Sequence, residues 1–280
     1  MPNPPHAFWL YQAAFALQLP AVLLFVGYAF APRRALALAA TACLAASLAA
    51  HAGFTLALGV NAGRLPLASG FEAISFWGLV LTALVVQVEW RHRLGLLGAF
   101  LAPLSAATLL MGFRFAKSAD LPAPGLADAW LAAHVALAML SYALFTAGAG
   151  AAGAYLVQDR QLKAKRMGPL VYELPPLQDL ERLLARLSAA GLAALVLGLA
   201  TGWVWRLGMD LPPAAADPKV AFNVAMAGAY ALALALRLRG PLRGRRFAWI
   251  SLALFALIFF GIYLVNLYFG GHAFLRPQGA

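Results

Sequence analysis

The sequence predicts an all-α integral membrane protein, a bundle of about eight transmembrane helices with both termini on the outer face. Three observations carry this: composition, the length of the apolar runs and the placement of the basic residues. Of the 280 residues, 63% are hydrophobic and 11% charged, whereas a soluble domain holds roughly 25% charged residues. The apolar residues gather in long runs, and a helix of about 20 residues spans the roughly 30 Å hydrocarbon core. Between the runs, basic residues crowd every second loop.

The eight runs fall near 8–31, 35–60, 71–90, 94–113, 129–157, 181–205, 219–237 and 246–269. The first follows Met1 to His6, which lacks the basic residues of a secretory n-region, so it reads as a retained helix entered from outside. Arg33-Arg34 separates it from the second. The third opens after Leu65-Pro66-Leu67-Ala68-Ser69-Gly70, with Glu72 at a helix N-terminus, where a negative charge is favourable. Arg91 and Arg93 divide it from the fourth. The fifth carries Ala147-Gly148-Ala149-Gly150-Ala151-Ala152-Gly153, a small-residue face suited to close packing. Pro175-Pro176, with Asp179 and Glu181 after them, mark the helix start that leads into the sixth. Asp217-Pro218 starts the seventh, Asp as N-cap and Pro at the first helical position. Arg243 and Arg245 precede the eighth, which opens on Arg246.

Fifteen of the 21 Lys and Arg belong to one set of loops and flanks: Arg33 and Arg34; Arg91 and Arg93; Arg160 to Arg166 with Arg182 and Arg186; and Arg237 to Arg246. The positive-inside rule puts that set in the cytoplasm, and an even number of spans puts both termini outside. The whole chain, 1–280, reads as one polytopic membrane domain with a cytoplasmic amphipathic connection at 158–180.

Net charge is +11. Because the basic residues sit in short loops, topology and contact with anionic membrane lipid explain it, and nucleic acid is excluded as a partner. Cys43 is the single cysteine, which rules out an intrachain disulfide, a CxxC pair and a CxxCH haem-attachment site. No Ser–His–Asp set, paired carboxylates, zinc-type spacing or phosphate-binding glycine loop emerges, and no catalytic residue is assigned.

The chemistry concentrates on the outer face. His134 lies about 7 Å below the outer end of the fifth run, and His272 follows the eighth run in Gly270-Gly271-His272. Imidazole is costly in lipid and is a good axial ligand for haem iron, so two at one face suggest a shared ligand. His51, in the outer half of the second run, is a third candidate. Trp9, Trp77, Trp130, Trp203 and Trp205 fall at the same level, and Arg64, Arg114, Lys117 and Lys219 offer cations for propionates. The competing explanations are an interhelical hydrogen bond for His134 or His51, a solvated tail for His272 and an aromatic belt for the tryptophans. The residues alone leave open an outward-facing haem or metal site and a transporter without haem.

Four segments resemble the cytochrome c assembly family of membrane proteins, the CcsA/ResC type and its HemX-like relatives. These are Leu65-Pro66-Leu67 through Phe71-Glu72 to Phe76-Trp77; Trp130-Leu131-Ala132-Ala133-His134 with Leu140-Ser141-Tyr142-Ala143; Arg243-Gly244-Arg245-Arg246-Phe247-Ala248; and Tyr263-Leu264-Val265-Asn266-Leu267 with Gly271-His272. The stretch from Gln158 to Leu184 is closest to HemX-like members. The likeness covers about 50–274. It implies axial ligation of haem b by His134 and His272, with Trp130, Trp203, Trp205, Asp217 and Lys219 around the site. It also implies the haem-binding subunit of a cytochrome c synthase in the bacterial plasma membrane, working with a ResB/CcsB-like partner on apocytochrome c. The chain departs from the pattern in two places. The family's Trp-rich loop is reduced to Leu211 through Asp217-Pro218-Lys219, and its inner histidine is replaced by Ala235. A HemX-like regulator or scaffold of tetrapyrrole synthesis, or a small-molecule transporter, is the alternative.

Overall fold

Each apolar run forms a helix whose ends are set by recognisable local chemistry. The computed structural model describes residues 7–92, 95–115, 129–165, 174–207 and 218–268. Among these are eight helices: α1 (Phe8–Phe30), α2 (Arg34–Ala62), α3 (Gly70–His92), α4 (Gly95–Phe115), α5 (Ala129–Lys163), α6 (Leu177–Leu207), α7 (Pro218–Arg239) and α8 (Arg245–Tyr268). Six of them, α1, α2, α3, α5, α6 and α7, are long and apolar enough to cross a membrane, and α4 holds a shorter apolar stretch, Leu97–Phe113. The chain is a multi-pass membrane protein.

The turn from α2 to α3 shows how sequence fixes a boundary. Gly63 takes a left-handed φ of 61° and ends α2, with Arg64 N–H bonding back to the Gly59 carbonyl at 3.3 Å. Ser69 and Glu72 then form a capping box. The Glu72 N–H donates to Ser69 Oγ at 3.1 Å, while the Glu72 carboxylate accepts the N–H groups of Ala68 at 2.6 Å and Ser69 at 3.1 Å. Arg64 closes on the same carboxylate with two parallel bonds of 2.9 Å, and both side chains are largely buried.

Helix α5 lies at the centre, touching α3, α4, α6 and α8. Its residues from Ala147 to Ala152 are all buried. Leu101 of α4 packs against Gly150, where a Cβ would overlap it, and Leu184 and Ser188 of α6 pack against Gly148. Small residues therefore let three helices approach one another, as membrane packing requires. Gln158–Lys163 extends α5 beyond the apolar run, supported by an Asp159–Lys163 pair at 2.9 Å.

Helices α1 to α4 enclose polar groups that are bonded internally. Gln18 Nε2 donates to Thr82 Oγ1 at 2.9 Å, Ser47 Oγ to the Ala14 carbonyl at 2.8 Å and Tyr11 OH to the Leu109 carbonyl at 2.8 Å. In lipid an unpaired polar group costs several kcal/mol, roughly, so such bonding is obligatory. Above them Tyr11, Phe54 and Phe71 form an aromatic cluster, joined by Phe8 and Phe113.

The basic-rich helix ends come together at one end of the bundle. Tyr28 near the end of α1 packs on Gly95 at the start of α4, and Tyr155 of α5 meets Gly244 just before α8. Arg237 of α7 pairs with Glu181 of α6 at 3.4 Å.

Candidate functional site

At the opposite end, α5 and α6 run antiparallel, with Phe145 against Gly191 and Leu137 and Ala138 against Gly198. Gly198 and Gly202 lie one turn apart on α6, a small-xxx-small spacing that lets the backbones close up. The imidazole of His134 fills the notch beside Gly202. A Cβ at that position would stand 2.5 Å from Nδ1 and 2.8 Å from Cε1 of the ring.

His134 Nδ1 lies 2.6 Å from the Gly198 carbonyl oxygen. A carbonyl only accepts, so Nδ1 carries a proton, and Nε2 is the nitrogen left to act as a ligand. Among the described residues Nε2 has no hydrogen-bond partner. The same carbonyl also accepts from Thr201 Oγ1 at 3.0 Å. Metal-ligating histidines characteristically donate their second ring N–H to a carbonyl or carboxylate, which fixes the tautomer and ring orientation. The bond to Gly198 thus fixes the tautomer and the orientation of the His134 ring against α6.

The tryptophans divide by environment. Trp203 is 56% exposed and Trp130 is 49% exposed. Trp205, three residues after Gly202, is half-buried, and its buried Nε1–H has no acceptor among the described residues. An orphaned donor near the end of α6 suits a ligand that brings anionic oxygens, and a free imidazole lone pair suits iron. Both fit haem. Trp77 is buried inside the bundle against Tyr142 and Phe259.

Lys219 stands in the first turn of α7, after Pro218 as the sequence predicts. Its backbone carbonyl accepts from Asn223 Nδ2 at 2.8 Å, and Asn223 Oδ1 accepts from Tyr142 OH at 2.8 Å. That chain ties the start of α7 to α5, eight residues along from His134. Arg64 is engaged by Glu72 through both terminal nitrogens, so it holds the α2–α3 turn rather than offering a cation to propionates. His272 and Asp217 lie outside the described residues.

His51 occupies a different setting. It is completely buried, Nε2 lies 2.8 Å from Ser75 Oγ, the Tyr11 ring meets it edge-on at 5.3 Å, and Nδ1 has no partner among the described residues. Gly198 and Gly202 are the site residues that reading the sequence did not single out. The Gly-x-x-x-Gly spacing was the available signal.

Comparison with known proteins places this geometry in context. The "Protein HemX" of Brevibacillus brevis is 28% identical over 199 residues, covering 70% of this chain and 73% of that protein. The "Cytochrome c biogenesis protein CcsA" of Nostoc punctiforme is 33% identical over 169 residues, and that of Guillardia theta 30% over 168 residues. The matches cover 57% and 52% of this chain but 48% and 55% of the two relatives, so the chain spans about half the length of those proteins. No solved structure matches. Residues 67–272 match the model of the family described as "Cytochrome C assembly protein". That segment takes in Glu72, His134, Gly198, Gly202 and His272, and the chain belongs to the cytochrome c assembly protein family.

Proposed function

We propose that this protein handles haem b during maturation of c-type cytochromes, binding it at one membrane face through His134 and His272. The observation that carries the reading is the His134 Nδ1–H bond to Gly198, which leaves Nε2 free as a ligand. His272 would hold the iron together with His134, and His51 keeps a structural bond to Ser75 inside the bundle. Trp130, Trp203, Trp205, Asp217 and Lys219 line the surroundings. Haem itself brings the iron and the vinyl groups. The chain holds and orients the macrocycle and shields one face of it from water, so that a ResB/CcsB-like partner can bring the cysteines of apocytochrome c into place.

The full arrangement is a single domain of eight spans, 1–280, in a bacterial plasma membrane. Both termini and the haem site face outward, and the basic end and the 158–180 connection face the cytoplasm. The alternation of basic loops supports that orientation. The test is to purify the protein from haem-replete cells and record its absorption spectrum. A bis-imidazole Soret and α/β pattern is expected, and it should disappear in His134→Ala and in His272→Ala. Survival of the pattern in both variants would remove the site.

The extent of the HemX match, across 73% of that protein, favours a second reading. In it the chain is a membrane regulator or scaffold of tetrapyrrole synthesis. Deleting the gene separates the two: loss of covalently bound cytochrome c haem with normal haem levels supports maturation, and a change in haem synthesis with intact c-type cytochromes supports regulation.

A further inference from the structure

The basic end of the bundle contains a groove of about 240 Å³ that the haem site does not use. It is lined by Gln178, Glu181 and Arg182 of α6, Arg237 and Leu238 of α7, and Arg243 of the turn before α8. Three guanidinium groups thus face one carboxylate. Arg237 is held in place from two sides: Nε lies 3.4 Å from Glu181 Oε1, and its Cζ sits 5.5 Å from the centre of the Phe247 ring. Arg182 leans 3.2 Å from Asp179, with both side chains more than half exposed, where such a pair contributes little. Arg243 is exposed and makes no ion pair among the described residues. The lining therefore keeps a net positive charge and unspent N–H donors.

We propose that this groove seats the phosphate of one anionic phospholipid. Guanidinium forks match phosphate oxygens in geometry as well as charge. Position selects a lipid. Leu238 on the rim is 75% exposed, giving an apolar surface for an acyl chain beside the arginines. Trp249, one turn into α8, is 55% exposed, and Trp90 near the basic end of α3 is 81% exposed. Exposed tryptophans at helix ends mark the headgroup level of a bilayer. The groove thus opens where phospholipid phosphates lie.

The experiment uses the full chain, purified in mild detergent with phosphatidylglycerol or phosphatidylcholine and analysed by native mass spectrometry. The wild type should retain one phosphatidylglycerol in preference to phosphatidylcholine. Arg243→Gln should lower that retention about fivefold, the effect of losing one basic group near an anionic headgroup. Arg239→Gln removes the same charge from an exposed residue outside the groove, and should leave retention unchanged. Both residues are exposed, and matched melting temperatures in phosphatidylcholine verify folding. Equal retention of the two lipids, equal retention by wild type and Arg243→Gln, or an equal fall in Arg239→Gln would overturn the site. Displacement of the lipid by millimolar inorganic phosphate would assign the groove to a soluble phosphate and overturn the lipid assignment.

Discussion

Replacing Gly202 with alanine should weaken haem binding without unfolding the protein. The added methyl would stand 2.5 Å from His134 Nδ1 and 2.8 Å from Cε1, well inside the roughly 3.5–4.0 Å at which carbon atoms attract. The ring must move by about 1 Å, and its 2.6 Å bond to the Gly198 carbonyl breaks. Losing the partner of a metal-bound histidine typically lowers affinity about 10- to 100-fold. Stability changes less. Overpacking costs about 1–3 kcal/mol, and alanine in place of glycine in a helix returns about 1 kcal/mol. Gly198→Ala provides the packing control. Its methyl would meet Leu137 Cβ and Ala138 N at 3.4 Å and lies away from the imidazole. A haem titration of purified protein, followed at the Soret band, should show the loss for Gly202→Ala and near-normal affinity for Gly198→Ala. Wild-type affinity and spectrum in Gly202→Ala would refute the reasoning.

Three further outcomes are expected. His51→Ala should leave the haem spectrum unchanged while lowering the melting temperature in detergent, because it strands the Ser75 hydroxyl and opens a cavity worth about 2–4 kcal/mol. Glu72→Ala should cost about 3 kcal/mol in a chemical unfolding titration, since it leaves the Arg64 guanidinium and two backbone N–H groups without their acceptor. Tyr142→Phe removes the bond to Asn223 that steadies the start of α7, and should lower stability by about 1 kcal/mol in the same titration.

Much of the fold was legible because a bilayer demands long apolar helices, and local signals mark their ends. Pro175-Pro176 precede the helix start at Leu177, and Pro218 is the first residue of α7, as the sequence predicts. One boundary moved for a physical reason. Helix α5 runs to Lys163 rather than 157, because charged and polar residues continue a helix beyond the hydrocarbon. The small residues at 147–153 announced close packing, but their partners on α4 and α6 are non-local and could not be read from spacing. The candidate site was legible as a list of residue types. Which ring nitrogen of His134 a hydrogen bond takes up was not, because it depends on a backbone carbonyl 64 residues away. Arg64 was misjudged for a related reason: its charge was visible, while the cap geometry that brings Glu72 to it was not.

The central claim is that His134 Nε2 ligates the iron, and chemical rescue tests it most directly. His134→Gly should lose the bis-imidazole spectrum when purified from haem-replete cells, and added imidazole should restore it by occupying the vacated position. A wild-type bis-imidazole spectrum in His134→Gly before imidazole is added would contradict the account.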